Sequence, residues 1–105
     1  MFQVTPITDS ISGSISGTAT VKYGSSGQFT ANVTSAQGLP MTYSWRIGNT
    51  NYATITNSTS RTCTVRPNSS TSTRYTTLYC DIRSTGSGDV VGTSTTKTLA
   101  LTFKS

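Results

Sequence analysis

The sequence predicts an all-β protein, an antiparallel β-sandwich of seven to eight short strands. Ser and Thr make up 40 of the 105 residues, and both favour strands and turns over helices. Short runs alternate polar and apolar residues and are separated by turn signals every 8 to 12 residues or so. With no Glu, five Ala and four Leu, the chain has little from which to build an amphipathic helix.

The two clearest strands are residues 28–33 and 41–47, where every second residue is apolar. Weaker alternation predicts further strands at residues 21–23, 53–55, 63–67, 76–82 and 99–103. We expect Trp45 at the centre of the core, because it is the largest side chain on an apolar phase. Its expected neighbours on the inward phases of the other strands are Phe29, Val33, Ile55, Val65, Leu78 and Ile82.

The length fits one domain, with residues 1–17 as an N-terminal extension of a sandwich that covers residues 18–105. Val4 to Thr8 predict an edge strand, because Pro6 is acceptable only at a sheet edge. The Ser, Gly and Ile residues from Asp9 to Gly17 predict a flexible joint.

Three segments resemble strands C, E and F of an immunoglobulin-like domain: Tyr-Ser-Trp-Arg-Ile at 43–47, Thr-Cys-Thr-Val at 62–65 and Leu-Tyr-Cys-Asp-Ile at 78–82. The likeness is closer to bacterial and bacteriophage Ig-like or PKD-like modules, which are Thr-rich and carry Tyr-x-Trp on strand C. A turn such as Gly-Ser-Gly-Asp at 86–89 is also typical of them. The resemblance covers residues 18–104 and implies an immunoglobulin-like antiparallel β-sandwich.

Two features of antibody-type domains are missing. Strand B carries Phe29, Ala31 and Val33 where those domains have their first disulfide Cys, and the residue two before Cys80 is Leu78, so there is no tyrosine corner. These departures point away from antibody and receptor families.

Cys63 and Cys80 form a candidate disulfide. In the Ig-like arrangement they face the core from opposite sheets, and closing the loop between them would stabilise the fold by about 3 kcal/mol in the chain-entropy model. The alternative is a pair of free thiols that act as small core hydrophobes in a reducing compartment. In either case we expect Cα atoms within about 7 Å of each other.

The composition argues against an enzyme. The chain has no His and no Glu, and its carboxylates are Asp9, Asp81 and Asp89, so it offers no Ser–His or Cys–His pair. Two Cys without His cannot fill a tetrahedral metal site. We therefore predict no catalytic residues, no metal and no cofactor.

The formal net charge of +5 comes from eight basic residues that are scattered singly along the chain. Nucleic-acid binding is not expected without a basic cluster, whereas attraction to an acidic protein or polysaccharide surface needs less organisation. The N-terminus has neither a basic start nor an apolar run, so we expect no secretory signal and no membrane span.

A candidate binding face consists of Arg46 on strand C with Tyr79, Asp81 and Arg83 on strand F. All four point outward on strands that are neighbours in an Ig-like sheet, and Arg and Tyr are frequent at interface hot spots. The alternative is a solvated charge ladder, with Asp81 between two Arg residues, that only stabilises the sheet.

These features predict a non-enzymatic structural or binding module of a phage virion, a capsid decoration or tail accessory protein that binds a capsid or tail protein. The alternative is a carbohydrate-binding or adhesive module at the bacterial cell surface, with a surface polysaccharide as ligand. An enzyme is the least supported class.

Overall fold

The computed structural model describes residues 7–105, which fold entirely into strands, turns and loops. The prediction of an all-β protein is confirmed. Within this range, no helix is long and apolar enough to cross a membrane. The strands are β1 (Ile7–Thr8), β2 (Ile11–Gly17), β3 (Thr20–Lys22), β4 (Gly27–Ser35), β5 (Met41–Ile47), β6 (Ala53–Thr56), β7 (Thr62–Pro67), β8 (Arg74–Ser84), β9 (Val90–Val91) and β10 (Ser94–Lys104).

Eight of these strands form two four-stranded sheets. We call the sheet with strand order β3-β10-β8-β5 the front sheet and the sheet with order β2-β4-β7-β6 the back sheet. Neighbouring strands are antiparallel except β3 and β10, which run parallel. The short strands β1 and β9 pair in parallel as a separate ribbon.

The apolar faces of the two sheets form one core. Trp45 is 4% exposed, and the neighbours predicted for it are buried except Ile55, which is half-buried on the edge strand β6. The core also takes in Leu101 and Phe103 of β10, two of the most deeply buried side chains. The predicted alternation of these strands is therefore confirmed.

Trp45 also links the two sheets through hydrogen bonds. Its main-chain N–H donates to the carbonyl oxygen of Ser58 at 2.7 Å, and its indole Nε1–H donates to the carbonyl oxygen of Ser60 at 2.7 Å. Both acceptors lie in the turn between β6 and β7 of the back sheet, whereas Trp45 belongs to the edge strand of the front sheet. The turn itself is closed by a bond from the Ser60 N–H to the Asn57 carbonyl at 3.1 Å.

The flexible joint predicted for residues 9–17 is wrong. Ile11–Gly17 forms β2, which pairs with β4 in antiparallel register along its whole length. Gly13 is opposite the buried Val33, and a Cβ at Gly13 would collide with the carbonyl oxygen of Asn32. The inward positions of β2 are thus Ile, Gly, Ile and Gly. At the two glycines the backbones approach closely and no side chain is present, so only half of the apolar alternation that predicts a strand is visible in the sequence.

Asp9, just before β2, forms hydrogen bonds with residues at and just after the end of β4 and so anchors the start of β2. The carboxylate is 3% exposed and accepts hydrogen bonds from Ser35 Oγ at 2.6 Å and from the Gln37 N–H at 2.9 Å. Burial raises its pKa, but the bonds from Ser35, Ser84 and Gln37 together outweigh this, so the pKa lies below its ordinary value of 3.8. Of the edge strand predicted from Val4 to Thr8, residues 4–6, which include Pro6, lie outside the described residues.

We predict that Trp45→Ala lowers the free energy of unfolding by about 3 to 5 kcal/mol, because it removes a large buried side chain. Trp45→Phe keeps part of the apolar volume but leaves the Ser60 carbonyl without its donor. Its free energy of unfolding should therefore lie between those of the parent and of Trp45→Ala. Urea denaturation gives both values. The control is Tyr75→Ala at a side chain that is 73% exposed, for which we expect a change within about 0.5 kcal/mol. An unchanged midpoint for Trp45→Ala would contradict the core assignment.

Candidate functional site

Strands β5, β8 and β10 lie side by side in the front sheet and bring the candidate face together. Trp45 and Cys80 are register partners that point into the core, so their chain neighbours point outward. Arg46 is paired with Tyr79, and Asp81 lies two residues further along β8 on the same outer face.

Arg46, Tyr79 and Asp81 are in direct contact. The Nε of Arg46 lies 2.9 Å from Oδ2 of Asp81, and its guanidinium lies 4.3 Å from the centroid of the Tyr79 ring. The hydrogen bond to Asp81 raises the pKa of Arg46. Because the two charged side chains are 56% and 41% exposed, water screens the pair and it contributes little to stability. Its main effect is to fix the orientation of the guanidinium.

Thr96 of β10 completes this network. Its Oγ1–H donates to Oδ1 of Asp81 at 2.6 Å, so the two oxygens of the carboxylate have different partners. The bonds from Arg46 and Thr96 hold the pKa of Asp81 below its ordinary value of 3.8. Thr96 was not among the residues predicted from the sequence, although its phase relative to Leu99 and Leu101 on the same strand places it outward.

Arg83 lies on the same face but outside this network. It is exposed, two residues beyond Asp81, and lines a shallow groove of about 530 Å³ that crosses the three strands. The polar residues that line the groove include Thr42, Ser44, Asp81, Arg83, Ser94 and Thr96. The structure thus brings three of the four predicted residues into contact and places the fourth beside them.

The groove offers hydroxyl groups, a guanidinium and an ionised carboxylate, which suits hydrogen bonding to a polar ligand. Asp81 is a poor general acid, because its neighbours favour the charged form. Across residues 7–105, no three Cys or Asp side chains come together in a way that would bind a metal ion.

Cys63 and Cys80 are fully buried and are free thiols in the structure, one on each sheet. Burial, and secondly the neighbouring Cys80, raise the pKa of Cys63 to about 12. Burial, and secondly Asp81, raise the pKa of Cys80 to about 11. Of the two alternatives left open by the sequence, the structure contains the free thiols; the disulfide remains a hypothesis.

Comparison with known proteins gives one structural likeness. A nucleoside hydrolase-related hypothetical protein from Saccharophagus degradans, associated with carbohydrate metabolism, superposes with a TM-score of 0.62 at 18% sequence identity. The match covers 81% of this chain and 21% of the other, so this chain spans about a fifth of that protein. At this identity the likeness concerns the fold alone. No protein-family model and no curated protein sequence matches the chain.

We predict that neither thiol reacts with a thiol reagent at pH 8 in the native protein, because both are buried and protonated. In denaturant without reductant, both should react at once. Mass spectrometry of the protein gives the number of labelled thiols in each state. If the denatured chain takes up label only after reduction, Cys63 and Cys80 are bonded.

We predict that Arg46→Gln raises the pKa of Asp81 toward 3.8, because it removes the largest cause of the lowered value. Carboxyl-carbon NMR titration measures this pKa directly. The stability that Asp81 contributes is present above its unfolded pKa and is lost as the pH falls through the lower folded value. Arg66→Gln, on the outer face of the back sheet, is the control and should leave the titration unchanged.

Proposed function

We propose that the chain is an immunoglobulin-like β-sandwich that serves as a non-enzymatic binding module of a phage virion. The sheet order supports the fold. Immunoglobulin domains have strands in the order A-B-E-D in one sheet and C-F-G in the other. The back sheet matches the first order with β2-β4-β7-β6, and β5-β8-β10 of the front sheet match the second.

The observation that supports a binding role is the contact network of Arg46, Tyr79 and Asp81. A guanidinium held by a carboxylate and laid over an aromatic ring loses little side-chain entropy when it meets a partner. Arg and Tyr are enriched among the residues that dominate binding energy. These side chains pair their charges and hydrogen-bonding groups with one another, and their exposed surfaces remain accessible to a ligand.

The resemblance of residues 18–104 to phage Ig-like modules supports a place on the virion, as a capsid decoration or a tail accessory protein. The partner of the candidate face is then a capsid or tail protein or the surface of the bacterial cell.

A specific observation favours a second candidate function, a carbohydrate-binding or adhesive module of a bacterial surface protein. The groove beside Asp81 is lined mainly by hydroxyl-bearing side chains, which pair well with sugar hydroxyls. The name of the structural neighbour links that protein to carbohydrate metabolism, which is in keeping with this alternative.

Two measurements test the proposal. Mass spectrometry of purified phage particles should detect the chain at a constant number of copies per particle, and its absence would refute the virion role. The double substitution Arg46→Ala with Tyr79→Ala should then weaken attachment to particles or to cells about tenfold or more.

The matched control is Arg66→Ala, which removes a basic side chain from the outer face of the back sheet. Both proteins should retain the circular dichroism spectrum of the parent. If the double variant binds as tightly as the parent, the candidate face is only a solvated charge ladder.

A further inference from the structure

Basic side chains are distributed unequally between the outer faces of the two sheets. On the front sheet, outward positions alternate with buried ones such as Val21 and Phe103. The charged residues at its outward positions are Lys22, Arg46, Asp81, Arg83 and Lys104. The strands of the back sheet carry one charged residue on their outer face, Arg66. The outer face of the front sheet therefore carries more positive charge than the outer face of the back-sheet strands.

Lys22 and Lys104 are direct register partners on the parallel strands β3 and β10. Adjacent strands are about 4.8 Å apart, and like charges in directly opposite positions destabilise a sheet. Both side chains are exposed, while the carboxylates of Asp9 and Asp81 are engaged by other partners. An anion bound between the two lysines would relieve their repulsion.

The basic groups on this face are far apart. Lys104 and Ser94 lie at opposite ends of β10, ten residues or about 34 Å from each other, and Arg83 is the register partner of Ser94. Hydroxyl-bearing side chains occupy three of the four outward positions of β10 between the two ends, namely Thr96, Thr98 and Thr102, and Ala100 occupies the fourth. Tyr75, 73% exposed, is opposite Thr102 and offers an aromatic surface near the lysine pair.

We propose that the outer face of the front sheet binds an acidic polysaccharide. Its carboxylates would meet the pair Lys22 and Lys104 at one end and Arg83 at the other. Sugar hydroxyls between them would bond to the Thr and Ser side chains and donate to Asp81. This inference rests on the proposed function, in which this face is a binding surface, and names the class of ligand.

A nucleic acid fits this face less well. Asp81 in the middle of the face repels phosphate and carboxylate alike, but it accepts hydrogen bonds from sugar hydroxyls, which a polysaccharide carries on every ring. Arg46 covers one face of the Tyr79 ring, which limits the stacking of bases there.

The test uses polygalacturonate, with fully methyl-esterified polygalacturonate as a probe that has the same backbone without the charge. Isothermal titration calorimetry at low salt should detect binding of the acidic polymer only, and binding should weaken as salt is added. Lys104→Gln should reduce affinity about fivefold, and the double variant with Lys22→Gln further, whereas Arg66→Gln should reduce it less than twofold.

Thermal melting of the same variants keeps the result interpretable. The double lysine variant should melt no lower than the parent, because it removes a repulsion. The proposal is overturned if the acidic polymer does not bind, if the esterified polymer binds equally, or if Arg66→Gln weakens binding as much as Lys104→Gln. Tighter binding of single-stranded DNA would also overturn it. If Arg46→Ala with Tyr79→Ala releases the protein from phage particles while polygalacturonate does not bind, the polysaccharide inference fails and the proposed function stands.

Discussion

The position of Trp45 is the constraint on which the rest of the structure depends. Its ring fills the core, and a buried indole N–H left without an acceptor would be costly, so the Ser60 carbonyl must stay within reach. That requirement holds the turn between β6 and β7 against the edge strand of the opposite sheet. Because side chains alternate along β5, the inward position of Trp45 also keeps Arg46 on the outer face, level with Tyr79. One buried residue thus links the core to the candidate site.

Strand prediction succeeded where side chains alone determine the face that is buried. For β5, predicted and observed bounds coincide, because four apolar residues alternate without interruption between Pro40 and Gly48. It failed at β2, where Gly13 lies at an inward position because the main chain of β4 leaves no room for a Cβ. Such close approach is a property of the partner strand, which local sequence does not report.

The same division holds at the candidate site. Alternation was sufficient to place Arg46, Tyr79 and Asp81 on one face, once β5 and β8 were taken as neighbours. It was insufficient for their contacts, because the register partner of Asp81 is Ser44, and Arg46 reaches the carboxylate diagonally while covering Tyr79. Thr96 of β10 also bonds to Asp81, and β10 lies beside β8 because of the sheet topology, which local sequence does not determine. Contacts of this kind depend on register and side-chain length together.

The two faces of the front sheet differ in what they contribute. Its inner face supplies deeply buried residues such as Leu78 and Phe103, and these provide the apolar burial that holds the sheets together. On the outer face, the exposed pair of Arg46 and Asp81 adds little stability, and the directly opposed Lys22 and Lys104 oppose folding. Apolar burial in the core outweighs the repulsion between these lysines, and an anion bound between them would relieve it.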